Sequence, residues 1–150
     1  LVRRFITERP LAGYISHKTG PGHDEFSKPF AYYYNPAEAG HIMWGKPVAV
    51  LTNRSTFSAA NDFVAFMKQL PQVTIIGATT GGGCGMPFSS ELPCGWGIRF
   101  SACPMYDANG KLTEMGIAPT DGCAVDMSAT DELNGRDTIL DFAINYLTNK

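Results

Sequence analysis

Residues 46–85, KPVAVLTNRSTFSAANDFVAFMKQLPQVTIIGATTGGGCG, constrain the fold more than any other part of the chain. Val48, Ala49, Val50 and Leu51 form a short apolar run between Pro47 and Asn53, Arg54 and Ser55, the pattern of a strand covered on both faces. Ala59, Ala60, Phe63, Val64, Phe66, Met67 and Leu70 then recur at helical spacing until Pro71 ends the pattern. Val73, Thr74, Ile75 and Ile76 supply a β-branched second strand that stops at Gly77. Strand, helix and strand in this order predict a βαβ unit with parallel neighbouring strands and a right-handed crossover, so the fold class is α/β.

This arrangement puts Ser58 at the carboxyl end of a parallel strand and at the start of a helix, where ligands sit in open α/β sheets. Backbone N–H groups there lack intrahelical partners, and the helix dipole favours developing negative charge, so the Ala59 amide is a candidate oxyanion donor. On position alone, a helix cap by Ser58, Ser55 or Thr56 is the simpler reading.

The chain has 150 residues, a net charge of −2, 44% hydrophobic and 17% charged residues, which fits one compact domain with a real core. The charge offers no basic face for nucleic acid and no polybasic membrane anchor. No apolar run reaches the roughly 18 to 20 residues needed to span a bilayer. LVRRFITERP reads as the end of a helix over residues 1–8, with Leu1, Val2, Phe5 and Ile6 on one face and Pro10 as the stop. An amphipathic helix entered halfway predicts that the sequence is a piece of a longer protein. Cys84, Cys94, Cys103 and Cys123 form no CxxC pair, against a structural zinc site. One or two disulfides and buried free thiols both remain open.

Elsewhere, residues 11–16 and the aromatic run FAYYY at 30–34 read as strands around a loop, HKTGPGHDEFSKP, that could serve as a lid or arm. Residues 35–45 read as loop, with Met43 and Trp44 at the core edge. Residues 86–92 and 97–104 predict an antiparallel pair, followed by an Asn109–Gly110 turn and a short extended piece at 116–119. A last helix is expected over about 136–147, with Ile139, Leu140, Phe142, Ala143, Tyr146 and Leu147 inward.

A serine nucleophile needs a base. His17, His23 and His41 all lie early, in or near loops, in contexts that also suit solvated side chains. The glycine loop TTGGGCG matches no phosphate-binding motif. Gly81, Gly82 and Gly83 would let a backbone pass close to a bound chain, or merely connect a strand to the hairpin. Glu114 in KLTEMGIAP reads, in isolation, as a surface charge, and Asp107, Asp121, Asp126 and Asp131 lack the spacing of a calcium loop.

In order, VAVLTNRSTFSAAND, TIIGATTGGG, SSELPCGWGIRFS and MYDANGKLTEMGIAPT resemble the core of the C-terminal processing peptidase and tricorn-core family of serine peptidases, from about residue 46 onward. The resemblance implies a Clp- or crotonase-like spiral α/β core, with one catalytic-core domain over residues 1–150. It places Ser58 as nucleophile and the Ala59 amide as oxyanion donor, and it makes Gly81, Gly82 and Gly83 substrate-binding. The processing-peptidase branch carries a lysine base in the glycine loop, where this chain has Gly81, Gly82, Gly83 and Cys84. The tricorn-like branch uses serine, histidine and glutamate. Its glutamate matches Glu114, and its histidine and further oxyanion glycines come from upstream. The elbow reads S-A-A-N-D, so Asn61 stands where the family has an acid.

The implied activity is hydrolysis of unstructured or C-terminal polypeptide through an acyl-enzyme on Ser58, without cofactor or metal, in a protein exported to the bacterial envelope. A non-catalytic binding module and a crotonase-type acyl-CoA enzyme share the fold. No adenine-nucleotide signature supports the latter.

Overall fold

The computed structural model describes residues 1–149. Strand β3 (Val48–Thr52) runs parallel to β4 (Val73–Gly77), paired from Val48↔Val73 to Thr52↔Gly77, and helix α1 (Ala59–Met67) makes the crossover. β4 is buried along its whole length, and its alternating side chains face two helix layers. Val73 and Ile75 pack with Val64, Phe66 and Met67 of α1, while Ile76 packs with Ile139 and Ala143 of α3 (Thr138–Thr148). Ile75 and Ile76 are both fully buried. Each contributes about 1.5–3 kcal/mol of transfer free energy, so the central strand anchors both layers. β3 is less covered than expected: its Leu51 is 39% exposed.

A second sheet has the order β2–β1–β7, all antiparallel, with β1 (Leu11–Ile15) between β2 (Phe30–Tyr33) and β7 (Met105–Tyr106). β5 (Phe88–Glu91) and β6 (Gly97–Phe100) form the expected hairpin, paired from Phe88↔Phe100 to Glu91↔Gly97. It ends earlier than the apolar pattern, because the Gly85 carbonyl accepts from both Ala102 and Cys103 N–H at 2.9 Å. The chain bends there, and residues 105–106 join the other sheet as β7.

Two helix expectations are corrected as well, and one helix was not anticipated. The helix over residues 1–8 is a single 3₁₀ turn, Val2–Arg4. Val2 and Ile6 do reach the core, but Leu1 is exposed, so two anchored side chains fix the path of this segment without a helical face. The last helix starts at Thr138, because the Asp137 carboxylate caps it by accepting from Leu140 N–H at 2.9 Å. Arg136 lies outside, 2.7 Å from Asp141. A short helix α2 (Ala129–Leu133), capped by Ser128, was not anticipated; it buries nothing and so carries no apolar period. The four cysteines are free thiols: Cys84, Cys103 and Cys123 are buried and Cys94 is exposed. Among the described residues no helix is long and apolar enough to cross a membrane.

Candidate active site

Between β3 and α1 the chain is folded back by Asn53, whose side chain accepts from Ser55 N–H at 2.9 Å and whose carbonyl accepts from Thr56 N–H at 2.9 Å. The turn delivers Ser58 at φ 57°, ψ −122°, a backbone region that non-glycine residues avoid. Such a conformation costs on the order of 1–3 kcal/mol and persists only where the surroundings enforce it. Here the Ser58 N–H donates to the Gly82 carbonyl at 2.8 Å, and the Ser58 carbonyl accepts from Asp62 N–H at 3.0 Å, which opens the helix. The Ser58 hydroxyl makes no capping bond, and the Thr56 hydroxyl accepts from Asn53 N–H instead. The capping reading of Ser58 is therefore replaced by a strained elbow whose hydroxyl makes no hydrogen bond among the described residues. The Ala59 N–H has no acceptor among the described residues.

The glycine loop is a strap across the back of this elbow. Gly81 N–H donates to Thr56 O at 2.9 Å, Gly82 bridges Phe57, and Gly83 N–H donates to Glu114 O at 3.0 Å. A Cβ on Gly81 would collide with Arg54 O, one on Gly82 with Glu114 O, and one on Gly83 with the Phe57 ring. Gly82 and Gly83 also have φ of 72° and 75°, where side chains are disfavoured. Close backbone packing thus accounts for Gly81 and Gly82; of the three, Gly83 lines the cleft.

Beneath the strap lies a polar cluster that sequence reasoning missed. Asn61, fully buried, donates to Thr113 O at 3.1 Å and to Cys84 Sγ at 2.7 Å, and accepts from Thr80 Oγ1. Thr80 Oγ1 in turn accepts from Ile117 N–H at 2.7 Å. An amide fits because the site asks for donors and an acceptor at once; a carboxylate could supply only acceptors. The neighbouring Asp62 accepts from Cys84 Sγ at 2.8 Å. Burial first, and then this bond to Asp62, push the Cys84 thiol up to about 11. Burial also raises the Asp62 carboxyl, with the Cys84 bond acting in the opposite direction. Tyr32 is pushed up to about 12, by burial first and then by the Asp62 charge.

Ser58 opens onto a cleft of about 410 Å³ lined by Phe57, Gly83, Pro87, Arg99, Phe100, Ser101 and Glu114. The structure thereby brings together Ser58 and Glu114, which are 56 residues apart in the chain. Glu114 Oε1 accepts from Ser101 Oγ at 3.1 Å, which fixes one carboxylate oxygen. Ser101 lies just past β6, and its role had no local sequence signal beyond the alternation of the strand. No histidine lines the cleft. His17 Nδ1 lies 3.1 Å from Cys103 Sγ, with its ring against Phe30; His23 is exposed beside Asp24; His41 lines a groove with Leu1, Arg3 and Arg4. The loop between β1 and β2 does not line the cleft either. It folds on itself, Lys18 donating to the carbonyls of Gly22 and His23. Among the described residues no group of three or more His, Cys, Asp or Glu comes together as a metal site.

Residues 6–121 match Peptidase family S41. A solved structure of a candidate peptidase from Parabacteroides merdae is 51% identical, with a TM-score of 0.88, and aligns over 97% of this chain and 45% of its own. Mature CPAF aligns with a TM-score of 0.60 at 23% identity, over 71% of this chain and 21% of its own. The photosystem II D1 C-terminal processing protease aligns with a TM-score of 0.54 at 21% identity, over 83% of this chain and 30% of its own. These last two likenesses concern the fold. An uncharacterised protein of Chlamydia muridarum is 30% identical over 84 residues, 52% of this chain and 14% of that protein. The chain thus spans less than half the length of the relatives it matches.

Proposed function

This chain belongs to peptidase family S41, and on that premise we propose that it is the catalytic-core domain of a serine endopeptidase acting on unstructured or C-terminal polypeptide segments. The observation that carries the proposal is the Ser58 elbow: a left-handed serine whose hydroxyl is not spent on capping, beside the unpaired Ala59 amide and in one cleft with Glu114. Strain of this kind clusters at active sites, where it can present a side chain for chemistry.

In the proposed mechanism Ser58 Oγ attacks the scissile carbonyl carbon and forms an acyl-enzyme with loss of the amine. An imidazole takes the hydroxyl proton and returns it to the leaving amine, and Glu114 holds that imidazole in the productive tautomer. The Ala59 N–H donates to the tetrahedral oxyanion, and water then releases the acyl group. Because none of the three histidines lines the cleft, the imidazole is assigned to sequence beyond these 150 residues. We further assign the chain to a Clp- or crotonase-like spiral core within that longer protein, and the protein to the bacterial envelope or its exterior, on family resemblance alone.

Fluorophosphonate labelling of the full-length protein tests the reading. One phosphonyl group on Ser58, absent in Ser58→Ala together with peptide hydrolysis, is the expected result; unchanged turnover by Ser58→Ala would sink it. The absence of histidine from the cleft favours a second reading, a non-catalytic peptide-binding module, which predicts peptide binding without labelling.

A further inference from the structure

If the cleft beside Ser58 binds peptide as proposed above, its lining also decides which peptides it selects. Arg99 lies on β6 opposite Ser89 and lines the same cleft as Ser58 and Glu114. Phe100 and Ser101, the next two residues, line the cleft as well, and Ser101 reaches Glu114, so this end of the hairpin forms one wall of the cleft. Among the described residues the Arg99 guanidinium has neither an ion pair nor a hydrogen bond, and no carboxylate, Glu114 included, lies within 4.0 Å of it. By contrast Arg136, exposed near the start of α3, is held between Asp131 and Asp141.

We propose that Arg99 is a specificity residue that binds a carboxylate of the polypeptide lying in the cleft. A guanidinium presents a rigid fork of donors that matches a carboxylate through two parallel hydrogen bonds. Phe57, Pro87 and Phe100 give the cleft apolar walls, which strengthen a charge pair relative to open water. Glu114 already places one carboxyl group in the cleft, so a singly charged carboxylate is accommodated better than a doubly charged phosphate. The carboxylate is either the α-carboxylate of a chain end or an Asp or Glu side chain. Since an extended peptide advances about 3.3 Å per residue, a group held by Arg99 in the same cleft as Ser58 lies only a few residues from the bond presented to Ser58.

The test is peptide binding to the full-length protein carrying Ser58→Ala, read by fluorescence anisotropy, so that the result does not depend on turnover. Unstructured peptides are compared as free acids and C-terminal amides, and with a Glu-to-Gln exchange walked along the sequence. The expected result is that one carboxylate form binds at least about tenfold more tightly than its neutral counterpart, as for a charge-assisted hydrogen bond. Arg99→Gln should bring that ratio towards one, and Arg99→Lys should keep part of it. The acid–amide pair and the Glu–Gln pairs separate the two sources of the carboxylate. A ratio that survives Arg99→Gln, or no discrimination by the Arg99 protein, overturns the proposal. An unlabelled, inactive Ser58 with Arg99-dependent discrimination defeats only the peptidase reading. Cleavage without carboxylate preference defeats only this one.

Discussion

Gly83 N–H donates to the Glu114 carbonyl at 3.0 Å, so the loop that clamps the Ser58 elbow from behind also positions the carboxylate residue in the same cleft. The same strap holds Ser58 N–H through Gly82 O at 2.8 Å. Elbow strain and acid placement are therefore coupled through three consecutive glycines rather than fixed separately.

Gly82→Ala should expose that coupling. Its Cβ would strike the backbone carbonyl of Glu114, which cannot swing aside as a side chain could, at a φ of 72°. A loss of more than about 2 kcal/mol in stability is expected, and on the proposed mechanism the peptide hydrolysis of the full-length protein should fall further than the lost folded fraction explains. Gly97→Ala, with nothing within 4 Å of the new methyl, is the control. Thermal melts and kcat/KM for both variants decide; equal melting temperatures would contradict the strap.

Ser101→Ala removes the one side-chain hydrogen bond to Glu114, at 3.1 Å. The site is exposed, so the fold should be unaffected, while a Glu114 left to rotate would orient an imidazole less well. On the proposed mechanism, a net hydrogen bond of about 1 kcal/mol corresponds to a roughly fivefold fall in kcat/KM of the full-length protein. Ser101→Thr, which retains the hydroxyl, should restore most of it, and an unchanged kcat/KM in the alanine variant would remove Ser101 from the site.

The βαβ core was legible because its residues announce it twice, by apolar period and by Pro71 and Gly77 as stops. The hairpin was legible from its turn, though not its ends, since the Gly85 carbonyl that stops it acts across a bend with no sequence signature. Ser58 was legible only as a position. Its left-handed backbone depends on Gly82, 24 residues later, and Glu114 enters the cleft through Gly83 and Ser101. Leu1 misled because two residues of its apolar face, Val2 and Ile6, do anchor in the core without a helix to carry the rest. α2 was invisible because it buries nothing.

Native thiol titration should give a simple count. Cys94 is exposed and the other three cysteines are buried, so one thiol should react rapidly with a disulfide reagent in the folded protein and four after denaturation. Cys94→Ser should abolish the fast reaction. Two fast thiols in the native state would contradict the burial of Cys84, Cys103 or Cys123.

Alkaline pH should destabilise the domain through the cluster under the strap. Cys84 is pushed up from about 9 to about 11 in the folded state, chiefly by burial, and Tyr32 from about 10 to about 12. Both groups are neutral when protonated, and the unfolded chain releases its protons first. The stability they contribute is thus fully present below about pH 9 and is lost as pH rises through about 11 and 12. Melting temperature should fall over that window, with a shallower slope in Cys84→Ala even if its absolute value is lower. A parallel pair of slopes would show that Cys84 does not titrate this way.

Asn61→Asp places an acid at the position where the resemblance leads one to expect it. Asn61 is fully buried, and its amide nitrogen donates to Thr113 O and Cys84 Sγ. An aspartate would turn those donors into acceptors facing a carbonyl oxygen, with no cation among the bonded groups. Leaving them unsatisfied costs about 1–3 kcal/mol, more when the group is charged. The buried carboxyl would have its folded pKa raised above the ordinary value of about 3.9, so the penalty would grow as pH rises through that window and shrink in acid. Urea melts at neutral and acidic pH should therefore show the variant much weaker than the parent at pH 7 and closer to it near pH 4. A variant as stable as the parent at pH 7 would mean that the elbow tolerates the family's acid, and that the Asn61 cluster is not what holds α1 to the strap.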